Sequence, residues 1–261
     1  MEENTDSRET KNPIQVSERI FNVIEFLAAN GATGLQDLSA DLGLNKSTVH
    51  RILNSLICMD YVWQDPETLK YNLSFKICRL STQILSHNTM IELARPYLHQ
   101  LADRSGETVH LVQADGNHAV YIDKVESANN TVRLVSMIGK NIPLYCSGVG
   151  KAILAEMPDQ KIREIWETSE IKKLTEYTVT DYTEFCRLIS EIRKNGYALD
   201  NEENEPGVRC IAAALHNFSG KPTYAISISA PKDRMDDERI REFKGLILSV
   251  KEQIENAVSG R

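Results

Sequence analysis

Residues 38–62, LSADLGLNKSTVHRILNSLICMDYV, decide how the front of this chain folds. Residues 35–44, LQDLSADLGL, read as a short helix with Leu35, Leu38 and Leu42 on one side and Gly43 just past its end. Residues 45–60 read as a second helix, because Val49, Ile52, Leu53, Leu56 and Ile57 fall on one stripe. Its opposite stripe is Ser47, His50, Arg51 and Asn54. Upstream, Val16, Ile20, Val23, Ile24 and Leu27 mark one face of a further helix, with Ser17 or a neighbour as an expected cap and Asn30-Gly31 as its end. Downstream, residues 61–73, YVWQDPETLKYNL, form two β-prone runs around Asp65-Pro66-Glu67-Thr68. Helix, short helix, turn, helix and hairpin in that order predict a winged helix-turn-helix, whose third helix would enter a DNA major groove.

The polar stripe fits that task. Short hydroxyls near a helix start can approach phosphates and base edges, and an arginine one turn later can bond guanine or phosphate. Lys46, Ser47, Thr48, His50, Arg51 and Asn54 are therefore the expected DNA contacts, with Lys70 of the hairpin touching phosphate. A solvated helix face is the bland alternative, and the flanking helix and hairpin weigh against it. Residues 45–80 carry five cations (Lys46, Arg51, Lys70, Lys76, Arg79) against three acids (Asp60, Asp65, Glu67). So modest an excess predicts weak binding by one head and firm binding by a dimer on double-stranded DNA.

Residues 1–12 read as a disordered tail, 13–75 as the head, 76–100 as a helical linker and 101–261 as a larger body. A helix around Met90 to Ser105 carries Pro96, which predicts a bend or restart. The body shows strand-like runs at 108–112 and 119–125 around Asp115-Gly116-Asn117, and further runs at 131–136 and 224–229. Helical stretches lie at 150–156, 160–166, 183–195 and 236–258. Without a βαβ rhythm this predicts an α+β fold with helices on one face of a sheet.

Composition narrows the function. The chain has 261 residues, 41% hydrophobic, 26% charged and a net charge of -7, which is globular and excludes an all-over nucleic-acid coat. No run reaches the roughly 18 apolar residues of a spanning helix, and the acidic start is no secretory signal. Cys58, Cys78, Cys146, Cys186 and Cys210 include no CxxC, so a reducing cytoplasm is expected. The six histidines, at 50, 87, 99, 110, 118 and 216, show no metal spacing. No metal, cofactor or membrane contact is expected, and no enzyme, since residues 145–152, YCSGVGKA, fail both the phosphate-loop and nucleophile-elbow patterns. They do form a glycine turn opening a helix, whose first amides favour an anion. Ser227 and Ser229 share one strand face, where their hydroxyls suit a small polar ligand or simply water.

Taken together, KSTVHR in the head, then IPLYCSGVGKAILA, GYALDNEENEPGVRCIAAAL and ISISAP in the body, resemble the IclR-type bacterial transcriptional regulators, in the family's order and over nearly all the chain after residue 12. ETVHL, VYIDKVES and SMIGKNIPLYCSGVGK look similar to the branch that senses 2-keto-3-deoxygluconate. The resemblance implies a winged helix-turn-helix, a linker helix and a GAF-like or profilin-like effector domain. It also implies dimers that often pair into tetramers, and a small carboxylic-acid effector. Carried over residue by residue, the effector pocket falls on Gly148, Val149, Asp200, Cys210, Ser227 and Ser229. Three positions depart from the usual pattern: Asn45 for a proline, Asp60 for a glycine, and Tyr145 for a frequent histidine. Glu202 and Glu203 sit oddly beside a carboxylate pocket; solvent, ligand hydroxyls or Arg209 are their open partners. The expected function is a repressor whose operator affinity a sugar acid changes; the alternative is another carboxylate (glyoxylate, pyruvate or an aromatic acid) or an activator.

Overall fold

The computed structural model describes residues 12–127 and 136–260 and divides the chain into two compact units that meet between Ile84 and Leu85. The tail at 1–11 and nearly all of the run at 131–136 lie outside the described residues.

The first unit contains α1 (Gln15–Asn30), α2 (Leu35–Asp41), α3 (Lys46–Cys58), the strands β1 (Val62–Gln64) and β2 (Tyr71–Leu73), and most of α4 (Lys76–Ser86). Val23, Leu27, Leu38, Val49, Leu53, Leu56 and Val62 form its core, so the predicted apolar stripes of the helices meet. Asp60 has φ 60° and turns the chain from α3 into the hairpin, as a short polar side chain permits. Thr33 exchanges two backbone hydrogen bonds with Tyr71 (3.1 and 2.9 Å), which ties the α1–α2 turn to the wing. One expectation fails. Ser17 does not cap α1, because the helix starts earlier, at Gln15, and the Ser17 hydroxyl instead donates to the Ile14 carbonyl (2.7 Å).

In the second unit α5 (Thr89–Ser105) leads into β3 (Thr108–Asp115) and β4 (His118–Val125). Then follow β5 (Asn141–Pro143), α6 (Gly148–Ala155), α7 (Asp159–Thr168), α8 (Tyr182–Asn195), β6 (Ala198–Asn201), β7 (Val208–His216), β8 (Pro222–Pro231) and α9 (Asp237–Val258). The described strands make one antiparallel sheet in the order β5-β4-β3-β8-β7-β6. Its edges are therefore β5 and β6, far apart in sequence.

Both faces of this sheet are covered, not one. Ile211, Ala213, Leu215, Ile226 and Ile228 pack with α5 and α9, where Phe243 is fully buried, worth roughly 1.5–3 kcal/mol. Ala198, Ala212, Ala214 and Ala225 point the other way, to α6, α7 and α8. The run Ile-Ala-Ala-Ala-Leu in β7 is the cause: it is apolar on both alternating sets, and its large members Ile211 and Leu215 face away from α6. Nor does α5 restart at Pro96; it is one helix, lacking only the hydrogen bond that Pro96 cannot donate. The range 76–100 covers α4 and most of α5, and Met90, Ile91, Ala94 and Leu98 of α5 lie in the body core.

A polar cavity on the sheet and a polar face on the third helix

On α3 the apolar stripe holds the helix in the head, leaving Lys46, Ser47, His50, Arg51 and Asn54 exposed and Thr48 half-buried. Asn45 precedes the helix with extended backbone and makes no side-chain cap, so the first amides of α3 remain open to a phosphate. Asn54 lies 3.4 Å from His50 Nδ1, and the two form one polar patch beside Arg51. Lys70 is exposed beside the wing turn, where Asp65 accepts from the Glu67 and Thr68 amides (2.8 and 3.0 Å). Those two bonds hold the Asp65 carboxyl below its usual range. Leu69 adopts φ 57°, a strained conformation that closes the wing.

The body contains a cavity of about 280 Å³ on the α6 side of the sheet. Its floor is made by cross-strand neighbours. Asp200 of β6 faces Cys210 of β7, Cys210 faces Ser229 of β8, and His110 of β3 faces Ser227. His110, Tyr121, Ser136, Lys140, Asn141, Ile142, Asp200, Asn204, Glu205, Val208, Cys210 and Ser229 line it. Asp200, Cys210 and Ser229 of the expected six thus line the cavity. Ser227 lies behind, 3.4 Å from Ser229 and 3.3 Å from His110 Nδ1. Gly148 and Val149 are buried at the start of α6, and a Cβ on Gly148 would meet the Asp200 amide at 3.4 Å. Gly150 is more constrained: a Cβ there would stand 2.3 Å from Leu144 backbone atoms, so the turn from β5 into α6 closes only without a side chain at this position. The two serines, which sequence alone left open as a wet face, are 2% and 3% exposed.

The electrostatics follow from burial. Asp200 accepts from the amides of Glu203 (2.8 Å) and Asn204 (3.4 Å), yet desolvation pushes its carboxyl up to about 7. Lys151 of α6 is buried and paired with Glu203, whose carboxyl is also raised by burial and whose second oxygen has no partner among the described residues. Glu203 therefore does not reach Arg209, which bonds Met235 O and Asp237. Glu202 turns outward to Lys232 and accepts from the Gly207 amide (2.9 Å). Thr175 and Thr178 fasten this loop by donating to the Glu202 and Glu203 carbonyls (2.7 Å each). Burial and Lys124 drive His110 down to about 3, so its imidazole is neutral, with Nε2 2.7 Å from Ser136. The Cys210 thiol is pushed up by burial and stays protonated, which makes it a weak donor and no nucleophile. Tyr145 bonds the Lys172 backbone (2.7 and 3.0 Å) and does not line the cavity.

Sequence reasoning missed His110, Tyr121, Lys140, Lys151 and Asn204. Alternation did place Thr108, His110 and Val112 on one strand face, but only the β3–β8 pairing sets His110 against Ser227. Among the described residues no group of three or more His, Cys, Asp or Glu is placed to hold a metal ion, and no helix is long and apolar enough to cross a membrane.

Known proteins share this arrangement. Residues 17–66 match the model of the IclR helix-turn-helix domain, and residues 82–256 match that of the bacterial transcriptional regulator IclR C-terminal domain. The chain is 34% identical over 239 residues to the HTH-type transcriptional regulator KdgR of Escherichia coli, covering 91% of this chain and 90% of that one. It is 37% identical over 203 residues to the DNA-binding transcriptional repressor YiaJ of Escherichia coli, covering 77% and 72%. The crystal structure of the Thermotoga maritima IclR superposes with a TM-score of 0.79 at 28% identity, covering 94% of this chain and 98% of that one. These relatives are regulators, not enzymes, and their helix-turn-helix and C-terminal domains imply a DNA partner and a small-molecule effector. The chain belongs to the IclR family of bacterial transcriptional regulators.

Proposed function

We propose that the chain is a repressor that binds a two-fold operator as a homodimer, two of which can pair as a tetramer, and releases it when a small sugar acid fills the body cavity. In this reading residues 13–75 bind DNA, 101–261 bind the effector and 76–100 link the two. Lys46, Ser47, Thr48, His50, Arg51 and Asn54 face the groove, and Lys70 meets a phosphate. Asp200, Cys210 and Ser229 touch the effector, with Ser227, Gly148 and Val149 forming the wall behind them. The sugar acid is 2-keto-3-deoxygluconate or a close relative, in keeping with the body motifs. Self-association is supported by apolar side chains left uncovered in the first unit: Phe21 is 60% exposed, Phe75 89% and Ile84 72%.

The observation that carries the reading is the cavity itself, small and lined by acceptors, a neutral imidazole, three hydroxyls, a thiol and one lysine. Such a lining suits a short, hydroxyl-rich acid. The test is fluorescence anisotropy of the full chain on a DNA fragment that it selects from a random pool, titrated with 2-keto-3-deoxygluconate, pyruvate, glyoxylate and 4-hydroxybenzoate. The sugar acid should weaken DNA binding by about 5–150-fold, the range of ordinary allosteric coupling. Affinity unmoved by any of the four acids would overturn the reading, and tightening would make the chain an activator.

A further inference from the structure

The charges around the cavity are segregated by the topology of the sheet. Lys140, directly before β5, lies at one edge strand; Asp200 is the penultimate residue of β6 at the other edge, and Asn204 and Glu205 follow the strand. Between them the floor is uncharged: His110, Tyr121, Cys210 and Ser229. The two lysines nearby are engaged, buried Lys151 with Glu203 and half-buried Lys124 with Glu126 and the Ser136 carbonyl. Among the described lining residues Lys140 is the one cation, and its ammonium has no partner among the described residues.

We infer that the cavity takes its ligand in one orientation, anionic end against Lys140 at the β5 edge and hydroxyl-bearing end against Asp200 and Glu205 at the β6 edge, so that Lys140 selects an acid over the matching neutral sugar. The inference rests on the reading of this cavity as the effector site. A carboxylate at the β6 edge would face Asp200 and Glu205, with Lys151 already committed to Glu203. Like charges brought together there oppose binding. Ligand hydroxyls reverse the sign, because they donate to those oxygens. At the opposite edge the ammonium of Lys140 would gain a charge-assisted bond to the carboxylate. The rival anchor for the acid is the start of α6, where the first amides of Gly148 and Val149 are buried.

The experiment is calorimetry on the full chain with two probes, 2-keto-3-deoxygluconate and its carboxamide, against the wild type, Lys140→Gln and Lys140→Glu. Lys140 is exposed, so neither substitution threatens the fold, and thermal melts of the variants should match the wild type. Lys140→Gln should bind the acid about tenfold more weakly or worse, the scale of one charge-assisted bond, and leave the carboxamide unchanged. Lys140→Glu should invert the preference. An acid-to-amide ratio in Lys140→Gln equal to that of the wild type would overturn the inference and move the carboxylate to the start of α6, with the effector reading intact. Wild-type protein that binds neither probe would instead remove the effector reading, and the inference with it.

Discussion

Asp200→Asn should stabilise the empty protein above about pH 5, although it removes a group that touches the cavity. The Asp200 carboxyl moves from its ordinary 3.8 to about 7 because burial penalises its charge more than Lys151 and the two amides favour it. A carboxyl raised in this way gives its full relative stability below 3.8 and loses it as pH rises toward 7, since over that window the folded state binds the proton more tightly. At 1.36 kcal/mol per pH unit the loss is about 1.7 kcal/mol at pH 5 and about 4 kcal/mol at pH 7, an upper figure for a site that relaxes. Asparagine keeps an acceptor for the Glu203 amide and carries no charge, so the variant escapes the loss. His110 acts in the opposite sense: held near 3, it costs stability as pH falls below 6.5. Both proteins carry His110, so subtraction removes it. The assay is urea unfolding at pH 4, 5, 6, 7 and 8 in a Trp63→Phe background. Trp166, packed on Tyr182 and Phe185 in the second unit, then reports alone. The gap should widen from pH 4 to 7 and level off. Parallel curves, or a gap that narrows as pH rises, would refute the burial argument.

Gly150→Ala should unfold the second unit or cost more than ~4 kcal/mol, since its Cβ would meet Leu144 backbone at 2.3 Å; Gly148→Ala, with 3.4–3.5 Å of room, should fold. Urea midpoints separate the two, and equal midpoints would mean that α6 is free to shift. Lys151→Met leaves Glu203 buried and unpaired, a loss of about 3–5 kcal/mol, most of which Lys151→Met with Glu203→Leu should restore. A double variant no more stable than the single one would show that the pair is not the source. Arg51→Ala should weaken operator binding by about 1–3 kcal/mol without moving the unfolding midpoint; wild-type anisotropy would remove Arg51 from the interface.

The first unit was legible because its information is local. Helix periods, the turn around Gly43 and the Asp65 hairpin each lie within a few residues, and α1, α2, α3, β1 and β2 all form where the patterns put them. Ser17 failed because a helix start is decided by one or two backbone angles that no apolar period fixes. In the body, β3, β4 and β8 were legible from alternation, while β5 is too short to show it and β7 is apolar on both faces. Asp200, Cys210 and Ser229 could be named individually, but their adjacency belongs to the β6-β7-β8 pairing over about 30 residues of chain. Lys151 looked like part of a phosphate-type turn; only the fold shows that it points inward to Glu203. His110 and Lys140 are single polar residues in strand-like or turn-like surroundings, and nothing near them in sequence marks a cavity.

The two faces of the body sheet divide the thermodynamic work. Against α5 and α9 the sheet presents Ile211, Leu215, Ile226 and Ile228, where burial stabilises. Against α6 it presents small alanines and a line of polar groups, and there the empty protein holds a raised Asp200 carboxyl and an unpartnered Glu203 oxygen. A hydroxyl-bearing ligand that donates to the Asp200 carboxyl relieves part of its cost, so the binding energy comes partly from strain already present in the apo state. Asp200→Asn removes that strain in advance. It should therefore raise the melting temperature of the free protein and shrink the further rise that 2-keto-3-deoxygluconate produces in the wild type. A variant that gained apo stability and kept the whole ligand-induced rise would show that the carboxyl and the ligand do not meet.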